Sequence, residues 1–185
     1  MPSQLEALLK TRLKAQRFKH TRGVAKTALK LAKLHGVAKA KAELAGWLHD
    51  CGKALERKQM KRLLTKSGAD RDERSMPGLW HAPVGAWLAR HEYQVKDSEV
   101  LRAIRFHSTG APKMTKLQQV LFVADYIEPG RPRWPGLPAL RRLAQKNLAA
   151  AYLGVLKAKI SDLLASHRHL HPRSVAAYHD ALKFK

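Results

Sequence analysis

One cysteine, Cys51, is all the chain contains. It leaves no internal disulfide open and fits a reducing compartment. Long uncharged runs are missing too. No segment approaches the roughly 20 apolar residues that a membrane-spanning helix needs. Near the N-terminus Lys10, Arg12, Lys14 and Arg17 interrupt every apolar stretch, so nothing there resembles a signal peptide. A soluble, cytoplasmic protein with no membrane partner is expected. The chain also lacks internal repeats, low-complexity linkers and alternating apolar–polar stretches of useful strand length.

Acidic residues are scarce. Fourteen Asp and Glu face 36 Lys and Arg, a formal charge of +22. A field of that sign draws polyanions, whether nucleic acid, nucleotide or a ribosomal surface. A lysine-rich solvated exterior accounts for the same number equally well. Charge therefore supports an anionic substrate or partner without selecting one. At 185 residues, 45% of them hydrophobic, the chain is long enough for one domain with a real core and short for two.

Apolar periodicity predicts an all-α fold. Residues 3–16 are amphipathic, with Leu5, Leu8, Leu9 and Leu13 on one face, and Ser3 with Glu6 matches a capping box. A second helix covers 18–35 and ends at Gly36. A central one follows at about 38–51, stopped by Gly52. Residues 54–79 read as a connecting excursion: a short basic helix near 56–66, then Ser67-Gly68, a charged turn and Met76-Pro77-Gly78. Further helices are expected at roughly 81–92, 97–107, 115–127 and 138–167, the last broken near Gln145-Asn147. A terminal helix begins near Pro172, which suits a first helical turn.

Helical phase places five polar residues on otherwise apolar faces. His20 lies with Val24, Ala28 and Leu31; His49 with Leu44, Ala45 and Leu48. His81 aligns with Val84, Gly85 and Leu88, His107 with Val100 and Ile104, and Asp125 with Leu117 and Leu121. One inward histidine is ordinary core. Four of them, with Asp50 and Asp125, are hard to explain independently, because buried polar groups are costly unless paired. A metal ion would pair them. Imidazole and carboxylate suit Fe, Mn, Co, Ni or Zn, and the missing thiolates argue against a structural zinc site.

The order His20, His49-Asp50, Asp125 resembles the HD-domain superfamily of metal-dependent phosphohydrolases. The segments His20-Thr21-Arg22-Gly23, Leu48-His49-Asp50-Cys51-Gly52-Lys53, His81-Ala82-Pro83-Val84-Gly85, His107-Ser108-Thr109-Gly110 and Ala124-Asp125-Tyr126-Ile127-Glu128-Pro129-Gly130-Arg131 look like the YqeK-type symmetrical dinucleoside-tetraphosphatases. The likeness spans about residues 18–180. It implies one HD domain over 1–185: an N-terminal helix at 1–17, a helical core at 18–128 with the metal site between its helices, and a C-terminal helical part at 129–185. It implies an iron-dependent enzyme, with one or two ions, that splits diadenosine tetraphosphate into two ADP. His20, His49, Asp50 and Asp125 would be metal ligands. His81 and His107 would complete a second position or hold a phosphate. Ser108, Lys53 and Arg131 would lie along the nucleotide, with Asp50 and Lys53 in the catalytic roles.

That chemistry is coherent on general grounds. A metal ion lowers the pKa of its bound water, giving hydroxide at neutral pH, and polarises a phosphoryl oxygen. Lys53 and Arg131 suit a polyphosphate, Arg131 through bidentate donation. Two alternatives stand beside this reading: an HD phosphohydrolase of another nucleotide, and a basic RNA- or ribosome-binding protein retaining the fold. The partner expected is a nucleotide substrate; non-specific nucleic acid and a homodimer stay open. The tract His167-Arg168-His169-Leu170-His171 reads as a solvated turn, because a spacing of two scatters histidines over different helical faces. Nothing marks Cys51 as a nucleophile. Of the four tryptophans, Trp134 is the one expected near an adenine and the others read as core or pocket lining.

Overall fold

The computed structural model describes the backbone of residues 2–184 and the side chains of residues 4–183; the expected Ser3 cap lies outside the latter. Among the described residues there are eleven α-helices and no strand. They are α1 (Pro2–Arg12), α2 (Ala15–Leu34), α3 (Lys39–Leu48), α4 (Arg57–Leu63), α5 (Arg71–Ser75), α6 (His81–His91), α7 (Ser98–Phe106), α8 (Lys116–Ile127), α9 (Leu137–Lys146), α10 (Leu148–Ala165) and α11 (Pro172–Ala181). No helix among them is long and apolar enough to cross a membrane.

Helix α8 is the axis of the fold. Every residue from Leu117 to Asp125 is buried, so the helix is enclosed on all sides. Its two glutamines are satisfied locally. Gln118 closes a capping box with Thr115, and Gln119 Nε2 donates to the Met114 carbonyl at 3.1 Å. Around α8 pack α2, α3, α7, α9 and α10. Phe122, Leu117 and Leu121 are fully enclosed, and each such side chain contributes about 1.5–3 kcal/mol of burial.

Small residues set how closely α2 and α3 approach. Ala25, Ala28, Ala32, Ala42 and Ala45 are all buried. A Cβ on Gly46 would fall 2.6 Å from the Ala25 Cα, so glycine is what lets these two backbones meet. That contact brings the N-terminal half of α2 alongside the end of α3, where His49 and Asp50 lie.

Several expected boundaries differ. The first helix ends at Arg12, and Leu13 is buried in the short link before α2. The central helix stops at Leu48. His49 is its C-cap, and Cys51–Ala54 form a 3-10 turn. Gly52 belongs to that turn, where its backbone lies against α6. The 54–79 excursion contains a helix that the charged residues concealed. Asp70 caps α5, its Oδ1 accepting from Glu73 N at 2.8 Å while Glu73 Oε2 accepts from Asp70 N at 2.9 Å. Glu73 is 1% exposed and receives both Arg105 of α7 and Arg173 of α11. An ion-pair cluster thus pins the excursion to the bundle. The break expected near Gln145-Asn147 falls at Asn147, whose Oδ1 caps α10 by accepting from Ala150 N at 3.0 Å.

Candidate metal centre

Each of the five inward polar residues sits at or beside a helix end facing a common centre. His20 is one turn into α2, His81 opens α6, and His107 follows α7 as its C-cap. His49 and Asp50 follow α3, and Asp125 lies near the end of α8. His49, Asp50, His81, His107 and Asp125 are buried.

Asp50 divides the centre. Its Oδ2 faces His49 Nε2 at 3.5 Å and His20 Nε2 at 3.9 Å. Asp125 Oδ1 lies 3.1 Å from His20 Nε2 and 3.9 Å from His49 Nε2. Asp50 Oδ1 faces the other way, 3.6 Å from both His81 Nε2 and His107 Nε2. The four imidazoles and two carboxylates therefore form two groups that share Asp50.

Three of the other ring nitrogens are already committed. His49 Nδ1 donates to the Gly46 carbonyl at 2.7 Å and His107 Nδ1 to that of Ile104 at 2.7 Å. His20 Nδ1 donates to Glu128 Oε1 at 3.1 Å. Their Nε2 lone pairs therefore point into the centre. His20 and His49 present theirs to each other at 3.4 Å, and His81 and His107 Nε2 stand 3.2 Å apart. The Ser108 hydroxyl lies between the latter pair, 2.9 Å from His81 and 3.1 Å from His107, and its single proton serves one of them. Lys53 Nζ pairs with both oxygens of Asp50, 2.9 Å from Oδ1 and 3.0 Å from Oδ2. Converging imidazole lone pairs are costly in a buried site. A divalent cation resolves them, so these residues fit one. The second group, Asp50, His81 and His107, and the first, His20, His49 and Asp50, each bring their ligand atoms within reach of one ion.

Electrostatics keep the two carboxylates, His81 and His107 in ligand form, whereas burial opposes and the charge of Asp50 favours protonation of His49, whose pKa is raised. Burial opposes charge on Asp50, yet His49, His107 and His81 hold its carboxyl well below the usual carboxylate range. Burial likewise opposes charge on Asp125, and His20 and Arg131 outweigh it. Burial pushes His81 and His107 down, with Lys53 adding to the effect on His81. Neutral imidazoles and ionised carboxylates are what metal binding requires.

A match to the HD domain covers residues 17–130, the same stretch that carries all six of these residues. The chain belongs to the HD-domain family. Within that family it is 39% identical over 95% of its length to the symmetrical bis(5'-nucleosyl)-tetraphosphatase of Halalkalibacterium halodurans, covering 94% of that protein. The corresponding protein of Bacillus subtilis is 38% identical, with 93% of this chain and 92% of that one covered. A crystal structure of an HD superfamily hydrolase from Clostridium acetobutylicum, described as involved in NAD metabolism, superposes with a TM-score of 0.92 at 32% identity. The match spans 99% of this chain and 97% of that one. As the family expects, the centre is set for a divalent metal.

The candidate nucleotide contacts are arranged differently from a set of free cations around the HD centre. Lys53 reaches back to Asp50. Arg131 spends its fork on Asp125, with Nε donating to the backbone carbonyl at 2.8 Å and Nη2 to Oδ1 at 2.6 Å. Both stabilise the acids before any ligand arrives. Trp134 is 37% exposed and packs edge-on against Tyr126, whereas Trp47 and Trp80 are buried as core. Cys51 is buried and burial raises its thiol pKa, which leaves it inert. The histidine tract splits. His167 and His169 are exposed, but His171 is buried and caps α11, its Nδ1 accepting from Arg173 N at 3.0 Å. The solvated-turn reading fails for that residue, because Pro172 starts a helix that packs its first turn against Asp70 and Glu73.

Three residues that sequence reasoning passed over also converge on the HD centre. Arg17 Nη1 donates to Asp50 Oδ2 at 2.8 Å; its signal was a position one turn before His20. Glu128 orients His20, and Gly23 and Gly130 make room for its carboxylate. A Cβ on Gly23 would lie 2.4 Å from Glu128 Oε2. A carboxylate behind an imidazole fixes its tautomer and would strengthen it as a metal ligand. Lys159 of α10 reaches the centre from the C-terminal part, and burial lowers its pKa to about 8. Beside His20 a cleft of about 530 Å³ opens outward, lined by Lys14, Arg17, Lys19 and Arg131 together with Glu128.

Proposed function

We propose that this HD protein hydrolyses dinucleoside tetraphosphates symmetrically, converting diadenosine tetraphosphate and one water into two ADP. The observation that carries the reading is Asp50, shared between two imidazole pairs at the head of a basic cleft. Relatives matched over nearly their whole length bear the name of that activity. His20, His49, Asp50 and Asp125 hold one ion, and Asp50, His81 and His107 a second position. We take the metal to be iron, as the resemblance implies, with Mn, Co or Ni as substitutes that an imidazole–carboxylate set also suits. Bound there, it supplies an activated water and a polarised phosphoryl oxygen.

The protein's own groups do the positioning on which phosphoryl transfer depends. Asp50 orients the attacking water between the two imidazole pairs. Arg17 and Lys53 pair with Asp50 and hold it in place, and His20 together with Arg131 keeps Asp125 ionised. Ser108 places a hydroxyl beside His81 and His107, where it donates to a phosphate oxygen. The cleft of Lys14, Arg17, Lys19 and Arg131 is a cationic bed for one nucleotide half. The bond between the second and third phosphates breaks, and the bridging oxygen leaves with one ADP. The same reading places the chain in the cytoplasm and takes residues 1–185 as one domain.

Anaerobic purification, metal analysis and product chromatography after incubation with diadenosine tetraphosphate test this directly. ADP as sole product with iron bound is the expected result. AMP plus ATP would overturn symmetric cleavage. Metal without turnover would move the substrate assignment to another nucleotide, and neither metal nor turnover would reject the enzymatic reading altogether.

A further inference from the structure

Lys159 lies on α10, beyond the stretch matched to the HD domain. Its side chain is half-buried and turns inward. Nζ sits 4.4 Å from the centroid of the Phe122 ring, on the buried α8. Its one polar contact among the described residues is a long 3.5 Å hydrogen bond to the His107 carbonyl oxygen. Among the described residues it pairs with no carboxylate, although the charges of Asp125, Arg131, Lys53 and Asp50 all act on it.

A half-buried ammonium with one weak acceptor and an aromatic face is under-satisfied. Among the described residues no carboxylate lies within ion-pair distance of it, and its N–H groups outnumber its acceptors. The missing partner is an anion, and the place is the rim of the centre beside His107 and Ser108. We infer that Lys159 is a polyphosphate-contacting residue, supplied to the HD site by the C-terminal helices, and that it binds the phosphate held next to Ser108. The inference rests on the reading of the centre as a phosphohydrolase site. It gives α10 a part in recognition as well as in packing.

Lys159→Met keeps the stem and its packing on Phe122 and removes the charge, while Lys159→Arg keeps a cation. Loss of one charge-assisted contact should raise KM for diadenosine tetraphosphate roughly ten-fold. We expect kcat to change less, metal content and melting temperature to stay as in the parent, and Lys159→Arg to recover most of the loss. Pyrophosphate binding to Mn²⁺-loaded protein, followed by calorimetry, should weaken by a similar factor. That arm judges Lys159 even if the parent proves inactive on the tetraphosphate, which would sink the functional reading alone. KM and pyrophosphate affinity both within two-fold of the parent would overturn the assignment. So would a variant that loses melting temperature and kcat with KM unmoved, which would make Lys159 a packing residue. Should Lys159→Met fail to fold, Lys159→Gln is read by the same two measurements.

Discussion

A single methyl group at Gly52 should damage both the stability and the metal affinity of this protein. Gly52 sits between Asp50 and Lys53 in the turn at Cys51–Ala54. A Cβ there would lie 2.5 Å from the His81 carbonyl oxygen, 3.1 Å from Gly85 N and 3.2 Å from the His81 carbonyl carbon. The nearest contact is roughly 1 Å short of a normal van der Waals separation. Both walls are backbone, so no side chain can rotate aside. The turn and α6 must separate, and overpacking of that kind costs about 1–3 kcal/mol. In a chain of this size each kcal/mol lowers the melting temperature by about 2–4 °C, so Gly52→Ala should melt roughly 2–12 °C lower. Because Asp50 rides on the turn and His81 on α6, the same displacement pulls apart the Asp50–His81–His107 group and weakens metal binding there. Gly78→Ala is the control, since nothing lies within 4 Å of its Cβ and a change of less than about 1 kcal/mol follows. Thermal melts with and without added Mn²⁺ report both quantities. A Gly52→Ala protein that melts with the parent and binds metal equally well would refute the claim that this contact is rigid.

Three further outcomes follow from the same geometry. His49→Ala and Asp50→Ala should each lose bound metal and turnover together, by mass spectrometry and product assay; retained activity in either removes that residue from the centre. Glu128→Gln preserves shape but takes the charge from behind His20, and should lower metal affinity about 10–100-fold with little change in melting temperature. For Glu73, burial opposes ionisation, but Arg105 and Arg173 hold its carboxyl below the ordinary value. Its folded pKa thus lies below the unfolded one, so its stabilisation is complete above about pH 4.5 and is lost as pH falls through the folded value. Glu73→Gln should cost roughly 3 kcal/mol at pH 7 and progressively less in acid, by urea melts at both pH values. A cost that does not vary with pH would mean that the cluster with Arg105 and Arg173 does not set the acid limb.

Local sequence determined a good deal. The 3.6-residue spacing of apolar positions placed most helices, because a half-buried helix must repeat its apolar face at that period. The same period exposed His20, His49, His81, His107 and Asp125 as polar intruders on buried faces, and adjacency brought in Asp50. Helix ends were less legible. Gly52 reads as a stop signal, yet α3 already ends at Leu48, and the glycine is required by the approach of the α6 backbone. Helix α5 was hidden among charges, because its stabilising partners, Arg105 and Arg173, are far away in the chain. Only the tertiary structure could turn the two oxygens of Asp50 toward different histidines. Only it could select Arg17, Glu128 and Lys159 for the centre. A basic side chain among 36 carries no local mark of its role; the packing of α2, α8 and α10 decides which of them is aimed at an acid or a carbonyl of the centre.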